Sequence, residues 1–214
     1  RTAGQEQVAK TVQDARAAGI FNISLDLMLG TPRQTADGLC QTFDFIRRMD
    51  VPHISAYMLK IEQGTPFFKL RDKLDLPSEE EVADLYLKTV SALQSQGLFQ
   101  YEISNFAKPG FESRHNSKYW ELAPYLGIGK SAHSFWGGRR FYYDRDFRIV
   151  DEGAGGGREE RILLGLRLAK GIEKTLVKKD YTPYVKAGFM KENGSRLAFT
   201  PKGFLVSNTI LSEL

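Results

Sequence analysis

The chain has 214 residues, 42% hydrophobic and 26% charged, enough to bury a sizeable core as one large domain or one domain plus a small appendage. No apolar run approaches the roughly 20 residues that span a bilayer, and Glu6, Lys10, Asp14 and Arg16 interrupt any signal-peptide pattern at the start. Its single cysteine, Cys40, excludes an internal disulfide and cannot alone hold an iron–sulfur cluster, so the composition points to a reducing cytoplasm. The net charge of +4 arises beyond residue 158, where ten Lys/Arg face six Asp/Glu, and it reads as a solvated surface. The chain begins at Arg1 rather than Met, directly before a helix-like pattern, so a longer protein is expected upstream.

Val8, Val12, Ala15 and Ala18 recur at helical spacing, and Gly19 follows as a C-terminal cap. The stretch FNISLDLML (21–29) then alternates. Phe21, Ile23, Leu25, Leu27 and Leu29 share one face, and Asn22, Ser24, Asp26 and Met28 the other. After the turn GTPRQT, the spacing of Leu39, Phe43, Ile46 and Met49 predicts a second helix, and HISAYML (53–59) a second strand. Ser78 and Glu81 form a capping-box pair that opens another helix through Leu85 and Leu93, closed by Gly97. QYEISNF (100–106) reads as a third strand. Strands separated by helices predict parallel pairing with right-handed crossovers. The polar faces Asn22/Ser24/Asp26 and Glu102/Ser104 favour a barrel with an enclosed polar interior over a sheet covered on both sides.

Further along, YLGIGKSAHSFW (125–136) predicts a turn and a strand, DEGAGGG (151–157) a linker or loop, and EERILLGLRLAKG (159–171) a helix. Asn193-Gly194 between apolar segments predicts a hairpin, and Thr200-Pro201 an N-cap followed by an N1 proline. Residues 1–150 therefore form one expected domain, 151–158 a linker or incomplete loop, and 159–214 a small winged-helix-like domain.

Few residues stand out for chemistry. Asp26 lies near the end of a predicted barrel strand, where it either meets a ligand or caps the next turn. Glu102 and Ser104 share that placement. GTP (30–32) and GIG (127–129) lack the glycine spacing and lysine of a phosphate loop and read as turns. In HNSKYW (115–120), His115 suits a metal or haem ligand, an acid or base, or a loop hydrogen bond. Tyr119 and Trp120 suit stacking on a planar macrocycle or plain core packing. The same alternatives hold for His133, whereas His53 at a strand start reads as structural. The three histidines lack zinc-site spacing.

Five segments, ISLDLMLGTPRQT, HISAYMLKIEQGTPF, QYEISNFAKPGFESRHNSKYW, YLGIGKSAH and RLAFTPKGFLVSN, resemble in this order the radical S-adenosylmethionine (SAM) proteins related to oxygen-independent coproporphyrinogen III oxidase. The resemblance is stronger to the haem-chaperone branch of that family. It implies an α/β fold: the second half of a partial (β/α)6 barrel that binds SAM and a [4Fe–4S] cluster, followed by a C-terminal domain. Asp26 matches the aspartate of the family's DLxxGxP strand, associated with the SAM ribose, and Arg1, 25 positions earlier, matches a SAM-contacting arginine. His115, Asn116, Tyr119 and Trp120 match HNxxYW, associated with haem, with His115 the candidate iron ligand. The CxxxCxxC motif would lie upstream of Arg1, so the chain as written is expected to assemble no cluster and to be inactive as an enzyme. The stretch DFRIVDEGAGGGREE is shorter than its counterpart in relatives. The implied function is haem binding and delivery to acceptor proteins, a membrane-associated acceptor among them. The competing reading is the true oxidase, which converts porphyrinogen propionates to vinyl groups with a 5′-deoxyadenosyl radical. Nucleic-acid binding by the basic tail is disfavoured, because GFLVSNTILSEL is mainly apolar.

Overall fold

In the computed structural model, which describes residues 4–214, the chain divides into two units, Arg1–Glu112 and Ser113–Leu214. The first opens with helix α1 (Gln5–Ala17), which ends before Gly19, whose φ of 83° only glycine adopts freely. Strand β1 (Ser24–Leu29) runs parallel to β2 (His53–Met58), with Ser24 opposite His53 and Leu29 opposite Met58. Helix α2 (Ala36–Met49) connects them: Thr35 accepts a hydrogen bond from the Gly38 amide at its start, and Arg47 and Arg48 complement the dipole at its end. A short α3 (Pro66–Leu70) precedes α4 (Glu79–Ser95), where both hydrogen bonds of the Ser78/Glu81 capping box form. Leu29, Leu39, Ile54, Leu93 and Phe106 are fully buried and make the core of this unit.

The expected third parallel strand is instead a tight antiparallel pair, β3 (Phe99–Gln100) and β4 (Asn105–Ala107). β4 lies between β2 and β3 and runs antiparallel to β2, giving the order β1-β2-β4-β3. A buried carboxylate causes the reversal: Glu102 accepts from the Ser104 amide at 2.9 Å and from Asn105 Nδ2 at 2.5 Å. Glu102 and Ser104 thus serve a turn and do not extend a polar face from Asp26. Among the described residues the four strands form an open sheet, so Ser24 and Asp26 lie on an exposed face and not in the enclosed polar interior that alternation suggested.

The second unit begins with α5 (Arg114–Trp120). Strands β5 (His133–Trp136), β6 (Arg139–Tyr143) and β7 (Ile149–Ala154) follow as an antiparallel meander. The division at residue 112/113 and the strand over 149–154 differ from the expected boundary in 151–158. Two of the glycines read as a linker are packing positions: a Cβ on Gly155 would lie 2.9 Å from the Phe135 ring, and one on Gly156 3.2 Å from it. Helix α6 (Arg158–Gly165) stops well before residue 171, and its last residue must be small, since a side chain at Gly165 would collide with Ile172. Next come β8 (Ile172–Glu173), α7 (Thr182–Lys186), β9 (Met190–Asn193) and β10 (Arg196–Phe199). β9 and β10 form the expected hairpin with Gly194 at φ 60°, in a sheet ordered β8-β10-β9. Thr200 caps α8 (Pro201–Leu205) as its sequence predicts, and α9 (Ser207–Glu213) follows. Among the described residues, no helix is long and apolar enough to cross a membrane.

Candidate functional site

HNSKYW folds as helix α5 because Ser113 caps it, its hydroxyl accepting from the Asn116 amide at 3.3 Å. Helical spacing then places His115 and Tyr119 side by side. Their rings meet edge to face with centroids 5.0 Å apart, and the Tyr119 hydroxyl lies 3.3 Å from His115 Nε2. Both side chains are exposed, as is Asn116, one position round the helix. Trp120 is half-buried, and its indole Nε1 is buried with no hydrogen-bond acceptor among the described residues.

Sequence reading missed what continues this cluster. Tyr125 packs edge-on against Tyr119 at 4.6 Å, and its hydroxyl accepts from Arg140 Nη1 at 3.2 Å. Arg140 also donates from Nε to Glu160 at 2.6 Å, and its guanidinium stands 5.0 Å over the Phe135 ring. Burial opposes the Arg140 charge, but Glu160 and Tyr125 outweigh it and raise the pKa above the ordinary arginine value. Farther along the same sheet, His133 Nδ1 lies 2.8 Å from a Glu152 carboxylate oxygen, and the imidazole stacks at a tilt against Tyr142, 5.0 Å away. A cavity of about 500 Å³ in this unit, lined by Arg158, Ile162, Lys178 and Leu211 among others, contains none of the predicted residues.

The predicted SAM-contacting residues are placed differently. Asp26 is exposed on β1, and Arg1 lies outside the described residues. Opposite Ser24 on the paired strand, His53 is buried as expected of a structural histidine. Its Nδ1 lies 2.7 Å from Ser24 Oγ and its Nε2 2.9 Å from the Tyr101 hydroxyl. Burial lowers the His53 pKa, partly opposed by the negative charge of Asp26. Cys40 is exposed, and the described residues contain no group of three or more His, Cys, Asp or Glu able to hold a metal ion.

Similar proteins accord with the sequence resemblance. The heme chaperone HemW of Bacillus subtilis (strain 168) is 32% identical over 238 residues, covering 96% of this chain and 62% of that protein. The mitochondrial radical S-adenosyl methionine domain-containing protein 1 of Bos taurus is 34% identical over 165 residues, covering 76% of this chain and 34% of its own length. The chain is similar to the HemW-like branch of the radical SAM family. Heme chaperone HemW of Lactococcus lactis subsp. lactis (strain IL1403) matches all of the chain at 31% identity and is covered to 63%. The chain thus spans about three-fifths of the length of the HemW relatives it matches. No family model matches it. The structure of coproporphyrinogen III oxidase (HemN) from Escherichia coli, a radical SAM enzyme, aligns with a TM-score of 0.70 over 99% of this chain and 59% of its own. At 18% identity that is a likeness of fold.

Proposed function

We propose that the chain is part of a radical SAM-type protein that binds haem and passes it to acceptor proteins, with His115 as an iron ligand and Asn116, Tyr119 and Trp120 beside the bound macrocycle. The observation that carries this reading is the exposed His115 imidazole held edge-on against Tyr119 on α5. Haem is cargo here, and the donor set suits it. A porphyrin supplies four nitrogens of its own, so one imidazole can ligate its iron although the described residues contain no multi-residue metal site. Trp120 Nε1, a buried donor with no acceptor among the described residues, suits a carboxylate brought by the ligand.

Asp26, together with Arg1, is the proposed contact for SAM. A [4Fe–4S] cluster would supply the reductive cleavage of SAM, but Cys40 alone does not fit such a cluster. The parallel β1–α2–β2 unit supports a partial (β/α)6 barrel, and the β9–β10 hairpin between α7 and α8 supports a winged-helix-like region. The proposed setting is the cytoplasm, with a membrane-associated protein as one class of acceptor. The oxidase reading has the fold likeness in its favour and nothing in the site.

Haemin titration followed at the Soret band tests the proposal. The wild-type chain is expected to saturate, and His115→Ala to bind about tenfold or more weakly with a shifted band. Unchanged affinity and spectrum in His115→Ala would remove the ligand assignment. With full-length, cluster-loaded protein, vinyl product from coproporphyrinogen III would favour the oxidase over the carrier.

A further inference from the structure

Glu152 gives His133 something that His115 lacks. A carboxylate only accepts, so the contact between His133 Nδ1 and Glu152 at 2.8 Å places a proton on Nδ1. In the neutral ring this leaves Nε2 as a lone pair. That nitrogen has no hydrogen-bond partner among the described residues, and the side chain is 56% exposed. An imidazole whose second nitrogen donates to a carboxylate is the arrangement that orients metal-ligating histidines and raises their basicity. At His115 the one side-chain hydrogen bond on the ring among the described residues is the 3.3 Å contact of Nε2 with Tyr119.

The sheet register connects the two histidines. His133 and Phe135 alternate to the same face of β5 and lie opposite Tyr142 and Arg140. Tyr125 pairs with Phe135 through two backbone hydrogen bonds of 2.8 and 2.9 Å, and its hydroxyl takes up Arg140 on that face. Tyr119 packs on Tyr125, and His115 on Tyr119. Ring contacts thus run from His115 to Tyr125, Arg140 joins Tyr125 to Phe135, and His133 lies two positions from Phe135 on the same strand face. A bare divalent ion would find too few donors beside His133, since no group of three metal-binding side chains exists among the described residues. An iron porphyrin needs only one.

We infer that His133, held by Glu152, is a second iron-ligating imidazole for haem on this face, with Glu152 as its positioning residue. The inference rests on the haem-carrier reading and adds a residue to it.

Haemin titrations of the wild-type chain, His115→Ala, His133→Ala and Glu152→Gln, read by absorption and electron paramagnetic resonance, separate the two proposals. His133→Ala is expected to lose about tenfold in affinity and to lose one imidazole's contribution to the iron spectrum. Added free imidazole should restore that spectrum. Glu152→Gln keeps an acceptor for Nδ1 but removes the charge, so it should shift the spectrum with a smaller loss of affinity. If the wild type takes up no haemin, the carrier reading itself fails. If the wild type binds, and His133→Ala matches it in affinity and spectrum, only this inference fails and His133–Glu152 is a surface ion pair. Should His133→Ala unfold, His133→Gln, which retains a polar side chain of similar reach, decides by the same readouts.

Discussion

His53, in the first unit, is 7% exposed and has both ring nitrogens occupied, one near Ser24 and one near Tyr101. In the second unit, His115 and His133 stand in solvent, each with a ring nitrogen that meets no protein group among the described residues. The same side chain therefore does two jobs. Where a fold uses both nitrogens the imidazole is internal scaffolding; where it uses one, the other remains for a ligand.

The contrast is open to direct attack, and the largest effect belongs to the core beside His53. Phe106 is fully buried, so Phe106→Ala should cost about 3–5 kcal/mol in urea denaturation. His115→Ala should leave the denaturation midpoint in place, and equal losses in the two variants would break the contrast. Removing the inner imidazole is the next test. His53→Ala takes a hydrogen-bond partner from Ser24 and from Tyr101 and should cost about 1–3 kcal/mol. Helix ends give a smaller difference: Ser78→Ala breaks the two-way capping box of α4 and should cost about 1 kcal/mol by the same assay.

The smallest effect is in pH. Because burial lowers the folded pKa of His53 below its ordinary 6.5, the unfolded chain takes up the proton first as pH falls. The stability contributed by neutral His53 is complete above the unfolded pKa and is lost as pH falls through the folded pKa. A His53→Gln chain should lack that part of the pH slope in its melting temperature. Asp26→Asn removes the charge that opposes the shift, so the His53 midpoint, followed by NMR, should move lower still.

How much of this was readable in advance depended on how local the cause is. Helices α1, α2 and α4 and strands β1 and β2 follow from periodicity and caps within one segment, such as Ser78 with Glu81. The β3–β4 reversal has no glycine or proline to announce it; its cause is the Glu102 side chain folding back on Ser104 and Asn105. Strand β7 was hidden because Gly153 and the glycines that follow it resemble a linker, and only the packing of Phe135 against Gly155 and Gly156 shows what those two are for. For the candidate site, the motif marked His115 and Tyr119, but Tyr125 and Arg140 enter only through strand pairing. Glu152 lies 19 positions from His133, a separation that no local pattern connects.

The sheet order has a practical consequence. β1 has β2 on one side and no strand on the other among the described residues, so a rim of backbone amides and carbonyls is left without ladder partners. Such a rim recruits any extended polypeptide that reaches it, including the same rim of a second molecule. Light scattering from the purified chain should therefore climb with concentration, and a short synthetic strand that seals the rim should quench it.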